Sequence, residues 1–395
     1  MISKEMTALG KKSSVIREIF EYGKRRKAEI GEENVFDFSL GNPSIPAPQA
    51  VTDTMRGLIE NTDPIALHGY TSAAGDIDVR TAIADHINER FCASATADKI
   101  YMTCGAAASL TISLHALVNA GDEVVVLAPF FPEYRVFAEK AGAVLRVVEC
   151  KAPDFQPDIE ALSAAINART KAVIINSPNN PTGAVITKER MRELCDCLAQ
   201  KQEQLGTNIY IIADEPYREL CYDCDVPYIP NYYDNTVVCY SYSKSLSLPG
   251  ERIGYIFVSP KACDADDLFA AVCGAGRALG FVCAPSLLQK TVAKCQGLTA
   301  NIELYRQNRD LLYNSLKSMG YEATSPDGAF YLFLRSPIRS AEEFCERAKK
   351  YELLLVPSDS FGTKGYVRIS YCVKREQIER SLPAFRELLK ECQNG

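Results

Sequence analysis

Five short apolar runs in the middle of the chain constrain its fold more than any other feature. They are Ile100–Thr103, Glu123–Ala128, Ala172–Asn176, Asn208–Asp214 and Thr236–Tyr240. Val, Ile and Tyr dominate them, and several run nearly unbroken where a half-exposed strand would alternate apolar with polar. An unbroken run suits a strand buried on both faces of a parallel sheet. Helical patterns such as Lys188–Gln202 separate the runs and complete βαβ units. The expected core is an α/β domain with a mostly parallel central sheet flanked by helices.

The flanks read differently. Ser14–Lys27 has the pattern of a helix, with Val15, Ile16, Ile19 and Phe20 on one side. Phe36–Leu40 looks extended and leads into the turn Gly41-Asn42-Pro43. A long helix through Ile302, Tyr305, Leu312, Leu316 and Met319 should stop at Gly320. Short strands are expected around Ala329–Leu334 and Val367–Tyr371, then a helix near Gln377–Glu391 that kinks or splits at Pro383. A chain of 395 residues exceeds one ordinary core. The expected division is a large domain over residues 45–295 and a smaller α+β domain from 1–44 and 296–395.

Composition excludes several classes. Lys plus Arg number 44 against 50 Asp plus Glu, a net charge of −6 with no basic block, which disfavours nucleic acid as a partner. The longest stretch without Lys, Arg, Asp or Glu, Ile100 to Gly121, contains His115, Asn119 and small polar residues. It reads as strand, turn and helix, so no membrane span is expected. The first twenty residues lack the apolar segment of a secretion signal, which points to the cytoplasm. The 15 cysteines are then expected to be reduced. Cys221-x-x-Cys224 would need a second pair to hold zinc, and Cys195-Asp-Cys197 does not supply it, so no metal site is expected.

In an open parallel sheet, ligands bind beyond the carboxyl ends of the strands. Each of the five runs ends in reactive or turn-forming residues. They lead into Gly105-Ala106-Ala107, Phe131, Asn179-Asn180-Pro181-Thr182-Gly183, Asp214-Glu215-Pro216-Tyr217, and Ser241-Tyr242-Ser243-Lys244 with Arg252 eight residues on. Singly, each has an ordinary structural reading: helix packing, core aromatic, turn, helix cap or surface charge. Together they describe a site for a flat, phosphorylated, electron-poor ring bearing an aldehyde. A lysine can form an imine, a carboxylate can keep a ring nitrogen protonated, and an aromatic can stack. Ser, Arg and backbone N–H groups can hold a phosphate.

Ser241-x-Ser243-Lys244, Gly250-x-Arg252-x-Gly254, Asn180-Pro181-Thr182-Gly183 and Asp214-x-x-Tyr217 resemble the signature of fold type I pyridoxal 5'-phosphate (PLP) enzymes. The match is to the class I/II aminotransferases of the aspartate aminotransferase superfamily. It runs in order from Gly41 to Arg368. The resemblance implies that Lys244 bonds to the cofactor aldehyde and later moves the substrate α-proton, that Asp214 faces the ring nitrogen, and that Tyr217 and Asn180 bond the ring hydroxyl oxygen. It assigns the phosphate to Ser241, Ser243, Arg252 and the amides of Gly105, Ala106 and Ala107. Tyr70 resembles the tyrosine that reaches the phosphate from a partner subunit, which implies a homodimer with shared sites; its alternative is an ordinary buried tyrosine. Arg368 resembles the arginine that takes the substrate α-carboxylate, with Gly41 and Asn180 beside it.

The implied reaction is a ping-pong exchange between an amino acid and a 2-oxo acid, with 2-oxoglutarate/glutamate as one pair and aspartate or an aromatic amino acid as donor. One departure bears on the donor. Some aspartate-specific relatives carry a lysine where this chain has Ala107, and Arg277, read in a loop, or Lys290 would have to replace its charge. A PLP-dependent C–S β-lyase of the same fold is the nearest rival. A non-catalytic PLP-binding regulator would lack the Lys244 and Asp214 pair. A nicotinamide dehydrogenase would need a Gly-x-Gly-x-x-Gly turn, which Gly105 does not start; Gly274-Ala275-Gly276 reads as a loop.

Overall fold

The computed structural model describes residues 2–11 and 14–394. The small-domain range read from the sequence includes Met1, Lys12, Ser13 and Gly395, which lie outside the described residues.

After β1 (Phe36–Asp37), seven strands form the central sheet: β2 (Ile100–Thr103), β3 (Glu123–Ala128), β4 (Val144–Glu149), β5 (Thr170–Asn176), β6 (Tyr210–Asp214), β7 (Thr236–Ser241) and β8 (Gly254–Val258). Their order is β2-β8-β7-β6-β5-β3-β4. β8 runs against the direction shared by the other six strands. Side chains alternate faces along each strand, and both faces are covered. On β6, Ile211 and Ala213 enter one core while Tyr210 and Ile212 enter the other. Met191, Leu194 and Leu198 of helix Lys188–Leu205 close the first face. Helices Ala106–Leu117 and Ala265–Ala278 close the second. Double-sided burial is why these strands lack polar alternation.

Two strands of the sheet escaped the sequence reading. β4 is an edge strand with only Val148 buried, so it carries no apolar run. β8 follows directly on the Arg252 turn and reverses direction, so no helical pattern sets it apart.

A second core joins the two ends of the chain. Here β9 (Tyr331–Arg335), β10 (Leu353–Leu354), β11 (Val356–Pro357) and β12 (Tyr366–Ser370) follow the sheet domain. β11, β12 and β9 make an antiparallel sheet, and β10 pairs with β1 in parallel. Helices Ile302–Met319 and Arg375–Asn394 bury Tyr305, Leu312, Leu316, Ile378, Phe385 and Leu388 against it.

Of the Phe36–Leu40 segment, Phe36–Asp37 pairs as a strand. Two expectations need correction. The last helix is not split: it continues through Pro383, because buried residues on both sides of the proline share one core. Gly274-Ala275-Gly276 is not a loop but lies inside helix Ala265–Ala278. A side chain at Gly276 would overlap the Tyr101 hydroxyl, so the small residues there allow close packing and do not end the helix. Arg277 is therefore a helical residue. Among the described residues, no helix is long and apolar enough to cross a membrane.

Candidate active site

One end of the sheet collects the reactive groups. Asn176 ends β5, Asp214 ends β6 and Ser241 ends β7. Gly105 follows β2, and Phe131 follows β3. Arg252 precedes β8, and because β8 is antiparallel, its start lies at the same edge as the other strands' ends. Short helix Tyr242–Ser245 carries Lys244. β12 brings Arg368 from the second core. Between them lies a cavity of about 280 Å³ lined by Gly41, Ala106, Ala107, Phe131, Asn180, Asp214, Tyr217, Ser241, Ser243, Lys244, Arg252 and Arg368.

Lys244 Nζ donates to the Gly41 carbonyl at 2.7 Å. Burial lowers its pKa to about 8, and the positive charges of Arg252 and Arg368 act in the same direction. An ordinary lysine, near 10.4, would be almost wholly protonated at neutral pH. Lowering it supplies the free amine that nucleophilic and base chemistry both need. The sign predicts that the rate at which ligand-free protein takes up PLP rises with pH and levels off above about 8. Stopped-flow absorbance across pH 6–10 checks this; a midpoint near ~10.4 would rule out the buried amine as the reacting group.

Asp214 is buried, and burial raises its pKa to about 7, opposed by a hydrogen bond from Tyr134. The Tyr134 hydroxyl donates to Oδ2 at 2.5 Å, while Oδ1 is buried with no partner among the described residues. A buried carboxylate oxygen with no donor costs free energy unless a ligand supplies one. A protonated ring nitrogen fits that need. Asn176 Nδ2 donates to the Asp214 carbonyl at 2.8 Å and fixes the backbone that presents the carboxylate.

The anion cup is also in place. Gly105 begins helix Ala106–Leu117 at φ +83°, and no side chain caps its first amides. A Cβ at Gly105 would press on the Arg252 guanidinium, so only glycine lets the helix start and the arginine share this space. Ser241 Oγ donates to Ser243 Oγ at 2.8 Å, and both face the cavity. A helix N-terminus, two hydroxyls and a guanidinium suit a phosphate. The residues present therefore fit PLP at its nitrogen, aldehyde and phosphate.

Arg368 is fully buried. Nη1 donates to Asn180 Oδ1 at 3.0 Å and Nη2 to the Ser39 carbonyl at 2.5 Å, while Nε has no partner among the described residues. The guanidinium lies over the Tyr331 ring at 4.7 Å and the Phe361 ring at 5.2 Å. Tyr217 and Tyr331 share a hydroxyl–hydroxyl hydrogen bond of 2.9 Å. A side chain on Gly41 would overlap the Tyr331 hydroxyl, which explains the glycine.

The family model for aminotransferase class I and II matches residues 33–385. The chain belongs to the class I and II aminotransferases. An aspartate aminotransferase of Thermotoga maritima is 30% identical over 383 residues, covering 95% of this chain and 97% of that protein. A crystal structure of an amino transferase from Eubacterium rectale superposes with a TM-score of 0.97 at 54% identity, covering 99% of both chains. Aspartate aminotransferase from Thermus thermophilus with maleate gives a TM-score of 0.87 at 26% identity, covering 98% of this chain and all of that one.

The aminotransferase site brings together all but two of the residues read from the sequence as one cavity wall. Gly105 sits just behind that wall, against Arg252. Tyr70 is 98% exposed and lies outside the cavity, so it is not a core tyrosine of its own chain. Neither candidate for the missing lysine charge lines the cavity, and Lys290 pairs with Asp76 at 2.6 Å. Sequence reasoning missed Tyr134, Asn176, Tyr331, Leu40 and Ile16. Asn176 ends a run already singled out, and Tyr134 lies three residues beyond Phe131. Ile16 and Leu40 reach the cavity from the N-terminal segments, and their apolar character gave no chemical signal.

Tyr134→Phe is expected to lower kcat by roughly 10- to 100-fold, because a hydrogen bond to a charged group contributes about 1.5–3 kcal/mol. Asp214 should then titrate higher, since the Tyr134 bond holds it down. A pH titration of the bound cofactor's absorbance reads this shift, which a purely structural tyrosine would not produce.

Proposed function

We propose that the enzyme is a PLP-dependent amino acid:2-oxo acid aminotransferase with glutamate/2-oxoglutarate as one substrate pair. The unpartnered Oδ1 of buried Asp214, facing a cavity that also holds a low-pKa lysine, carries this reading. PLP, when bound, supplies an aldehyde that exchanges with amino groups and a ring that draws electrons from the Cα–H bond. Lys244 Nζ would hold the cofactor at its aldehyde and would take the α-proton of the substrate. Asp214 would face the ring nitrogen and favour its protonated form. Tyr217 and Asn180 would hold the ring hydroxyl oxygen, with Phe131 beside the ring. Ser241, Ser243, Arg252 and the amides of Gly105, Ala106 and Ala107 hold the phosphate. Arg368 binds the α-carboxylate, with Asn180 and Gly41 closing beside it.

The cavity favours an aromatic donor over aspartate. Its three lining cations among the described residues are Lys244, Arg252 and Arg368, each with a role of its own. Ala107 adds no charge for a distal carboxylate, and Ile16 and Leu40 present apolar surface. Full exposure of the Tyr70 ring supports a homodimer in which a second copy of the chain supplies that hydroxyl to the phosphate. Tyr70→Phe should weaken PLP binding while sedimentation velocity still shows a dimer; unchanged PLP affinity removes the shared-site assignment.

Absorbance spectra of the PLP-loaded enzyme, recorded before and after adding single amino acids without any oxo acid, test the function. Conversion to the amino form of the cofactor by aromatic amino acids is the expected result. Release of pyruvate from cystathionine, with no such conversion by any amino acid, would replace transamination with β-elimination.

A further inference from the structure

Outside the active site, the Cys221-x-x-Cys224 turn brings two thiols together at the rim of a separate groove of about 760 Å³. The sulfurs lie 3.0 Å apart, and the Cys221 thiol also donates to the Cys224 carbonyl at 2.6 Å. A covalent S–S bond is about 2.05 Å, so a shift of roughly 1 Å would join them. The first half of the turn is held against residues 327–329. Cys221 pairs with Gly328 in an isolated β-bridge, the Tyr222 amide donates to the Asp327 carbonyl at 3.0 Å, and the Tyr222 hydroxyl donates to the Ala329 carbonyl. Such anchoring reduces the conformational entropy that a loose pair would lose on bonding.

We propose that Cys221 and Cys224 form a thiol–disulfide exchange site that reacts with low-molecular-weight disulfides and closes to an intrachain disulfide. The Cys221 thiolate attacks one sulfur of RS–SR, forming a mixed disulfide and expelling RS⁻, which takes up a proton. Cys224 then loses its proton and attacks the Cys221 sulfur, expelling the second RS⁻. Two protein thiols are oxidised to one disulfide while RS–SR is reduced to two RSH. The contact between the sulfurs lowers the Cys221 pKa, which favours Cys221 as the first attacking thiolate once its proton leaves the Cys224 carbonyl. Cys224 is exposed and Cys221 partly so, and both line the open groove, which gives a disulfide access.

The test uses the PLP-loaded enzyme in buffers of varied reduced to oxidised glutathione, followed by alkylation and peptide mass mapping. As oxidised glutathione rises, the segment holding Cys221 and Cys224 should lose two hydrogens and both alkylation sites, and reduced glutathione should reverse this. Cys224→Ser should trap a glutathione adduct on Cys221. The wild-type measurement decides the matter even where that variant misfolds. If both thiols stay alkylatable while exposed Cys92 and Cys263 acquire glutathione, the proposal fails. A stable glutathione adduct on Cys221 of the wild-type enzyme also overturns it.

Discussion

Lys244→Ala is expected to reduce transamination by at least ~10⁴-fold, at the upper end of what one proton-transfer group contributes, because the same nitrogen also bonds the cofactor. Burial and two neighbouring arginines lower the Nζ pKa to about 8, which gives the one lysine lining the cavity among the described residues a usable fraction of free amine near neutral pH. Nothing stands ready to replace it. The Tyr217 and Tyr331 hydroxyls are buried, with pKa values pushed upward, so both stay protonated near neutral pH and neither is available as a base. The measurement is the single-turnover conversion of the PLP-loaded variant by an amino acid, followed by absorbance. The variant should still bind PLP through the phosphate cup and Asp214, without the band of the lysine-bound form. Activity within tenfold of the parent would remove Lys244 from the reaction.

Arg368→Ala should weaken binding of the amino acid donor by about 2–5 kcal/mol, roughly 30- to 4,000-fold in affinity. The arginine is fully buried, and its Nε has no partner among the described residues. Removing it leaves a substrate carboxylate desolvated opposite Asn180 with no cation. Arg368→Lys should recover little, since an ammonium cannot reproduce the planar fork that a carboxylate meets with two parallel bonds. The loss should appear in the donor KM and in kcat/KM. A simple amine without a carboxylate should react equally with both forms of the enzyme. An unchanged donor KM would reassign the arginine to a structural role, which its bonds to the Ser39 carbonyl and Asn180 could serve.

Both assignments rest on residues that stood out in the chain itself. Strands covered on two faces must be apolar along their length, so β2, β3, β5, β6 and β7 were legible as runs. Their ends could be searched for chemistry because a parallel sheet aligns carboxyl ends along one edge. Lys244, Asp214, Arg252 and Asn180 were found that way. The exposed edge strand β4 and the reversed strand β8 had no such run. The glycines of helix Ala265–Ala278 looked like a turn because glycine has two uses, bending the chain and letting elements approach. Only the position of the Tyr101 ring shows that the second use applies.

Local pattern was thus enough for the sheet architecture and the identities of the groups at its edge, because strand periodicity and motif spacing act over a few residues. Contacts between distant segments decided the rest. Tyr134 meets Asp214 across 80 residues, and the Arg368–Asn180 bond spans 188. The pKa of Lys244 follows from burial created by both cores closing over it. Ile16 and Leu40 line the cavity only because the N-terminal segments pack there. Burial, charge proximity and cavity shape depend on three-dimensional distance, which no spacing along the chain encodes.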